Sequence, residues 1–128
     1  MDDLMQFLRA RLDETATKAR THRQASASWY YDDAAGEIRD ETNSGTVAFV
    51  PSAADAQHIA EHDPARILAE VDAKEVLLRV HGPAHDCAAD RDGVDCATEE
   101  EPCLVLRLLA LPYALHPAHR PEWAPNLV

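Results

Sequence analysis

Leu4, Phe7, Leu8, Leu12, Ala16 and Ala19 recur at three- and four-residue steps, which predicts an amphipathic helix over residues 1–24. Asp2 or Asp3 can cap its start, and Arg9, Arg11, Asp13, Glu14, Lys18 and Arg20 populate its outer face. From residue 28 to 50 the period changes. Trp29-Tyr30-Tyr31, Glu37-Ile38-Arg39-Asp40 and Thr46-Val47-Ala48-Phe49-Val50 are short β-rich runs. They are separated by turns carrying Gly36 and Gly45, and together they read as an antiparallel meander. A sheet this small needs helices across one face.

A helical pair fills residues 53–82. Ser52 or Asp55 opens a short helix, Ala53 to Glu61, and Asp63-Pro64 supplies a cap followed by proline at the first helical position. The next helix should turn Ile67, Leu68, Val71, Leu77 and Leu78 inward and stop at Gly82-Pro83. Residues 83–101 read as a long acidic loop rich in Cys and His. Pro102 then starts a last helix over 102–115, apolar nearly all round and so expected to be the most buried element, with Pro112 ending or kinking it. The tail, 116–128, is punctuated by proline and expected to be docked by Tyr113 and Trp123. The prediction is one α+β domain: a three-stranded antiparallel meander on three to four helices, with a long acidic loop before the last.

Charge narrows the function classes. The formal net charge is −11, and residues 25–63 set eight acids against Arg39 alone. Residues 83–103 set seven against Arg91. Binding nucleic acid directly requires a cationic surface to displace condensed counterions, and the chain offers none. A basic protein partner or bound cations suit it better. The opening residues lack a basic region followed by a long apolar run, so no signal peptide is expected. The longest apolar window, Cys103 to Leu111, is too short for a membrane span and contains Arg107. The expected setting is the cytoplasm, without a membrane.

All three cysteines fall between His81 and Cys103. Structural zinc takes four nitrogen or sulfur ligands in a tetrahedron. Cys87, Cys96 and Cys103 with His85 or His81 would supply three thiolates and an imidazole, pinning the loop between two helices. The spacing lacks the short Cys-x-x-Cys knuckle, so two alternatives stay open: Cys103 as a buried apolar residue with Cys87 and Cys96 as loop thiols, or a Cys87–Cys96 disulfide. His58-Ile-Ala-Glu61-His62 matches an inverted zinc-protease pattern, yet its helix ends at once and a distant acidic ligand is required. Asp90-Arg-Asp92-Gly-Val-Asp95 is a calcium-loop fragment without the terminal glutamate. A cysteine nucleophile would need positive surroundings, and this stretch is negative.

The opening Met1-Asp-Asp-Leu-Met-Gln-Phe-Leu-Arg-Ala-Arg-Leu12 and Trp29 in its short strand carry a likeness to known sequences. So do His58-Ile-Ala-Glu-His-Asp-Pro-Ala-Arg-Ile-Leu68 and Val71-Asp-Ala-Lys74. Leu106-Arg-Leu-Leu-Ala-Leu-Pro-Tyr113 and His116-Pro-Ala-His-Arg-Pro-Glu-Trp123 complete it. Together they resemble a family of small proteins of unknown function from Streptomyces-type actinobacteria and their phages. The chain departs from that pattern at Glu61, where the resemblance implies Arg, and at Leu115 and His119, where it implies Asp and Tyr. The resemblance implies this order of elements and no mechanism.

The leading expectation is a non-enzymatic cytoplasmic interaction or regulatory protein, with structural zinc as the cofactor its cysteines and histidines would bind. The rivals are a small metal-dependent hydrolase and an acidic mimic of nucleic acid that blocks a DNA-binding enzyme.

Overall fold

The computed structural model describes residues 2–21, 28–42, 44–82 and 102–125. Among these are α1 (Asp2–Arg20), β1 (Trp29–Asp32), β2 (Glu37–Asp40), β3 (Thr46–Phe49), α2 (Ala53–Glu61), α3 (Pro64–His81) and α4 (Leu104–Ala110). Short 3-10 turns follow at Leu111–Tyr113 and Pro121–Trp123. The class is α+β, with one open antiparallel sheet in the order β1-β2-β3. Residues 22–24 of the expected first helix and the whole acidic loop lie outside the described residues. The described residues form two compact units, one from those before Glu14 and after Val71, the other from Glu14 to Val71.

In the second unit, β1 and β2 pair with Tyr30 opposite Arg39 and Tyr31 opposite Ile38. Pleating alternates the faces, so Ile38 and Asp40 turn inward while Glu37 and Arg39 turn outward. A register irregularity between Ile38 and Arg39 sets Thr46 opposite Arg39 and Phe49 opposite Glu37, which brings both β3 residues to the outer face. Gly36 closes the first turn with φ of +67°, a conformation that favours glycine, and its N–H bonds the Asp32 carbonyl at 2.9 Å. Asp40 is buried and its carboxylate accepts from Thr42 N–H at 2.8 Å, so it serves as the hinge of the second turn. α2 packs on β1 and β2, and Ala56 of α2 and Ile38 of β2 are both fully buried.

Helix starts follow their caps. Ser52 Oγ accepts from Asp55 N–H at 3.4 Å at the start of α2. Asp63 Oδ1 accepts from Arg66 N–H at 2.8 Å at the start of α3. Its second oxygen accepts from Trp29 N–H at 3.0 Å, so one carboxylate both caps α3 and holds the first residue of β1.

The core of the first unit comes from Leu4, Phe7, Leu8 and Leu12 of α1, Leu78 of α3, Cys103, Leu106 and Ala110 around α4, and Trp123. Every apolar position expected on the inner face of α1 is buried, including Ala16 and Ala19 of the second unit. Three expectations are corrected. Asp3 sits inside the first turn and pairs with Arg120 at 2.9 Å, so it is not the cap. Leu77 is 39% exposed and does not face inward. α4 is buried along one stripe only, Leu106, Arg107 and Ala110, while Leu108 and Leu111 are largely exposed.

Candidate functional site

His81 is the last residue of α3. Gly82 behind it is buried, and its N–H bonds the Leu78 carbonyl at 2.9 Å. A side-chain carbon at Gly82 would lie 2.8 Å from that carbonyl oxygen and would press into Met5, so glycine is needed where the chain leaves the helix. Cys103 stands at the cap position of α4 with its side chain wholly buried. The Cys103 carbonyl accepts from Arg107 N–H at 3.1 Å. Arg107, itself buried, folds its guanidinium back so that Nε donates to the Pro102 carbonyl at 3.1 Å. Arg107 therefore braces the backbone on the N-terminal side of Cys103.

These two braced ends set Cys103 Sγ 3.6 Å from His81 Nδ1. A thiol and an imidazole at this distance can share a proton. They can also be two corners of one tetrahedron: metal–sulfur and metal–nitrogen bonds of about 2.3 and 2.0–2.1 Å separate the ligand atoms by about 3.6 Å. The soft sulfur and the borderline nitrogen are the donors that zinc favours. Of the five ligand candidates, His81 and Cys103 are thus brought together, and Cys87, Cys96 and His85 lie outside the described residues. So does the Asp90–Asp95 fragment.

The His58–Glu61–His62 pattern ends α2. All three residues are exposed, the two imidazole rings lie 4.5 Å apart, and His62 Nδ1 donates to the His58 carbonyl at 2.7 Å. Among the described residues no three His, Cys, Asp or Glu side chains group as a metal site would require. The inverted-protease pattern therefore lacks its distant acidic ligand among them.

A second cluster was only half visible in the sequence. Phe7, buried on α1, is ringed by edge-on contacts from Tyr113 at 6.2 Å, His116 at 5.6 Å and His119 at 5.8 Å, and by Trp123 at 5.1 Å. The Arg11 guanidinium lies 5.2 Å from the same ring and its Nη1 meets both ring nitrogens of His116, whose Nδ1 accepts from Ala118 N–H at 3.0 Å. Arg120 adds its ion pair to Asp3 and lies 5.6 Å from the Trp123 ring centre. Tyr113 and Trp123 were expected to dock the tail. His116 and His119 were missed, although the steps 116, 119, 120 and 123 repeat a one-faced spacing that could have revealed them. The cluster is an anchor for the tail.

The outer face of the sheet carries Tyr30, Asp32, Glu37, Arg39, Thr46 and Phe49. Arg39, the one Arg or Lys between residues 25 and 63, is held by Asp32 at 3.2 Å and Glu37 at 2.8 Å. Asp33 and Glu41, in the turns on either side of β2, are exposed, and Phe49 stands 67% exposed on an edge strand. This face thus sets Asp32 and Glu37, paired with Arg39, beside Tyr30 and an exposed Phe49. No helix among the described residues is long and apolar enough to cross a membrane.

No curated protein and no solved structure matches the chain. A family model does match, over residues 1–125, which takes in both ends of α1 and α3, the sheet and the Phe7 anchor. The chain belongs to this family of unknown function, DUF6221.

Proposed function

We propose that the chain is a non-enzymatic interaction protein of the cytoplasm, of actinobacterial or phage origin, that meets a basic protein partner through the outer face of its sheet. The observation that carries this reading is Phe49, 67% exposed on edge strand β3 amid acids whose one neighbouring arginine is already held by two of them. An exposed aromatic opposite Glu37, on a sheet whose stretch of chain is strongly acidic, fits a contact whose centre is apolar and whose rim is electrostatic. The arginine-rich composition, with only Lys18 and Lys74 as lysines, supports the proposed origin, since a high-GC genome favours arginine codons.

We further propose that structural zinc ties residues 83–101 to the ends of α3 and α4, with Cys103 and His81 as two of its ligands and Cys87, Cys96 or His85 completing the set. Its support is the 3.6 Å approach of sulfur to nitrogen at two braced helix ends.

The partner reading is tested by affinity capture from an actinobacterial lysate with the intact chain and two variants, Phe49→Ala and Glu41→Lys. Capture of a basic protein, weakened by both substitutions and by salt near 1 M, where screening shortens to about 3 Å, supports it. Capture indifferent to both variants contradicts it. A basic protein that binds DNA would be the form in which the nucleic-acid mimic succeeds. For zinc, thermal melting before and after a chelator should show a loss of stability restored by zinc, and an unchanged melt contradicts the tie.

A further inference from the structure

α3 is apolar on two opposite faces. At 100° per residue, Val71 and Leu78 share one face, and both are buried. Ala73, Val76, Leu77 and Val80 lie on the other. Val76 is 46%, Leu77 39% and Val80 54% exposed, and Ala73 is exposed too. Ala73, Val76 and Val80 step by three and four residues, the spacing of a seam that packs against another helix. A helix that only covers its own core would carry polar side chains on this side.

The charges beside this seam choose the occupant. Asp72 and Arg79 are both exposed and sit on the same flank, one helical repeat apart, with opposite sign. We infer that the seam is the contact surface for a second copy of this chain, its α3 running antiparallel about a two-fold axis near Glu75. That arrangement sets Ala73 against the partner's Val76. It also sets Asp72 against the partner's Arg79, and the symmetry makes the same ion pair twice. A parallel pair turns the same flank towards the partner's Leu77 and makes neither ion pair. The inference goes beyond the proposed contact with a basic partner, which uses the sheet and none of these residues.

The seam spans only about two helical turns, well below the roughly 800 Å² per partner of a standard interface. A contact this small is a weak, transient one. Sedimentation equilibrium on the full chain from about 10 µM to 1 mM reads this directly. A rising average mass that fits monomer and dimer is the expected result. Asp72→Arg and Arg79→Asp should each weaken the dimer by roughly tenfold, because each sets like charges together twice. The double exchange should restore it, since the same pairs re-form with signs reversed. Val80→Glu should abolish it. All of these positions are exposed, and circular dichroism checks that every variant stays folded. A chain that remains monomeric at 1 mM overturns the inference. So does a dimer indifferent to Val80→Glu, or one that the double exchange fails to restore.

Discussion

Asp63→Ala should destabilise the Glu14–Val71 unit through two separable losses. One carboxylate oxygen accepts Arg66 N–H at 2.8 Å and caps α3; removing such a cap costs about 1 kcal/mol. The other accepts Trp29 N–H at 3.0 Å, the first amide of β1. Depriving that half-buried donor of its acceptor costs a further 1 kcal/mol or so, the low end of the range, because water can partly replace it. The sum is about 2 kcal/mol, equivalent to a fall of roughly 6–10 °C in melting temperature for a chain of this size. Urea unfolding followed by circular dichroism measures it. Asp63→Asn separates the two contributions, since an amide keeps one acceptor oxygen and gains a donor, so it can serve one of the two N–H groups. Its loss should be about half as large. An Asp63→Ala effect below about 0.5 kcal/mol, or an Asn variant as damaging as the Ala variant, would refute the double role.

Phe7→Ala removes the ring on which Tyr113, His116, His119 and Trp123 converge. We expect a loss of about 3–5 kcal/mol and faster proteolysis of the tail, and a tail cut no faster than in the parent would contradict the anchor. Arg11→Ala and His116→Ala should be strongly non-additive in a double-mutant cycle, with a coupling of about 0.5–1.5 kcal/mol; additive effects would show that their contact carries no energy. Gly82→Ala should cost about 1–3 kcal/mol by thermal melting, because Met5 can move aside but the Leu78 carbonyl, 2.8 Å from the new carbon, belongs to the helix backbone. A neutral result would mean that the end of α3 relaxes freely.

The sequence was legible where one residue answers one local demand. The inner stripe of α1, the bounds of α2, the Asp63-Pro64 start of α3 and the three strands could all be read from spacing, caps and turns. It was less legible where an apolar residue has two faces to choose between. Leu77 belongs to the outer seam of α3 and Leu78 to its core, and composition alone does not distinguish them. α4 looked apolar all round, yet it buries Arg107 and exposes Leu108, because that guanidinium bends back to the Pro102 carbonyl. The tail anchor was half read: aromatic residues announced docking, while the histidines acquire their role only from Phe7 and Arg11, more than a hundred residues earlier. Of the candidate zinc ligands, the approach of His81 to Cys103 depends on where two helices end, which spacing could indicate but not measure.

The tie between the ends of α3 and α4 is tested most directly by native mass spectrometry of the full chain, before and after a chelator. We predict one zinc ion per chain, removed by the chelator, absent from Cys103→Ser and retained by His62→Ala. A chain that carries no stoichiometric metal, or one whose metal survives Cys103→Ser and is lost from His62→Ala, would contradict it.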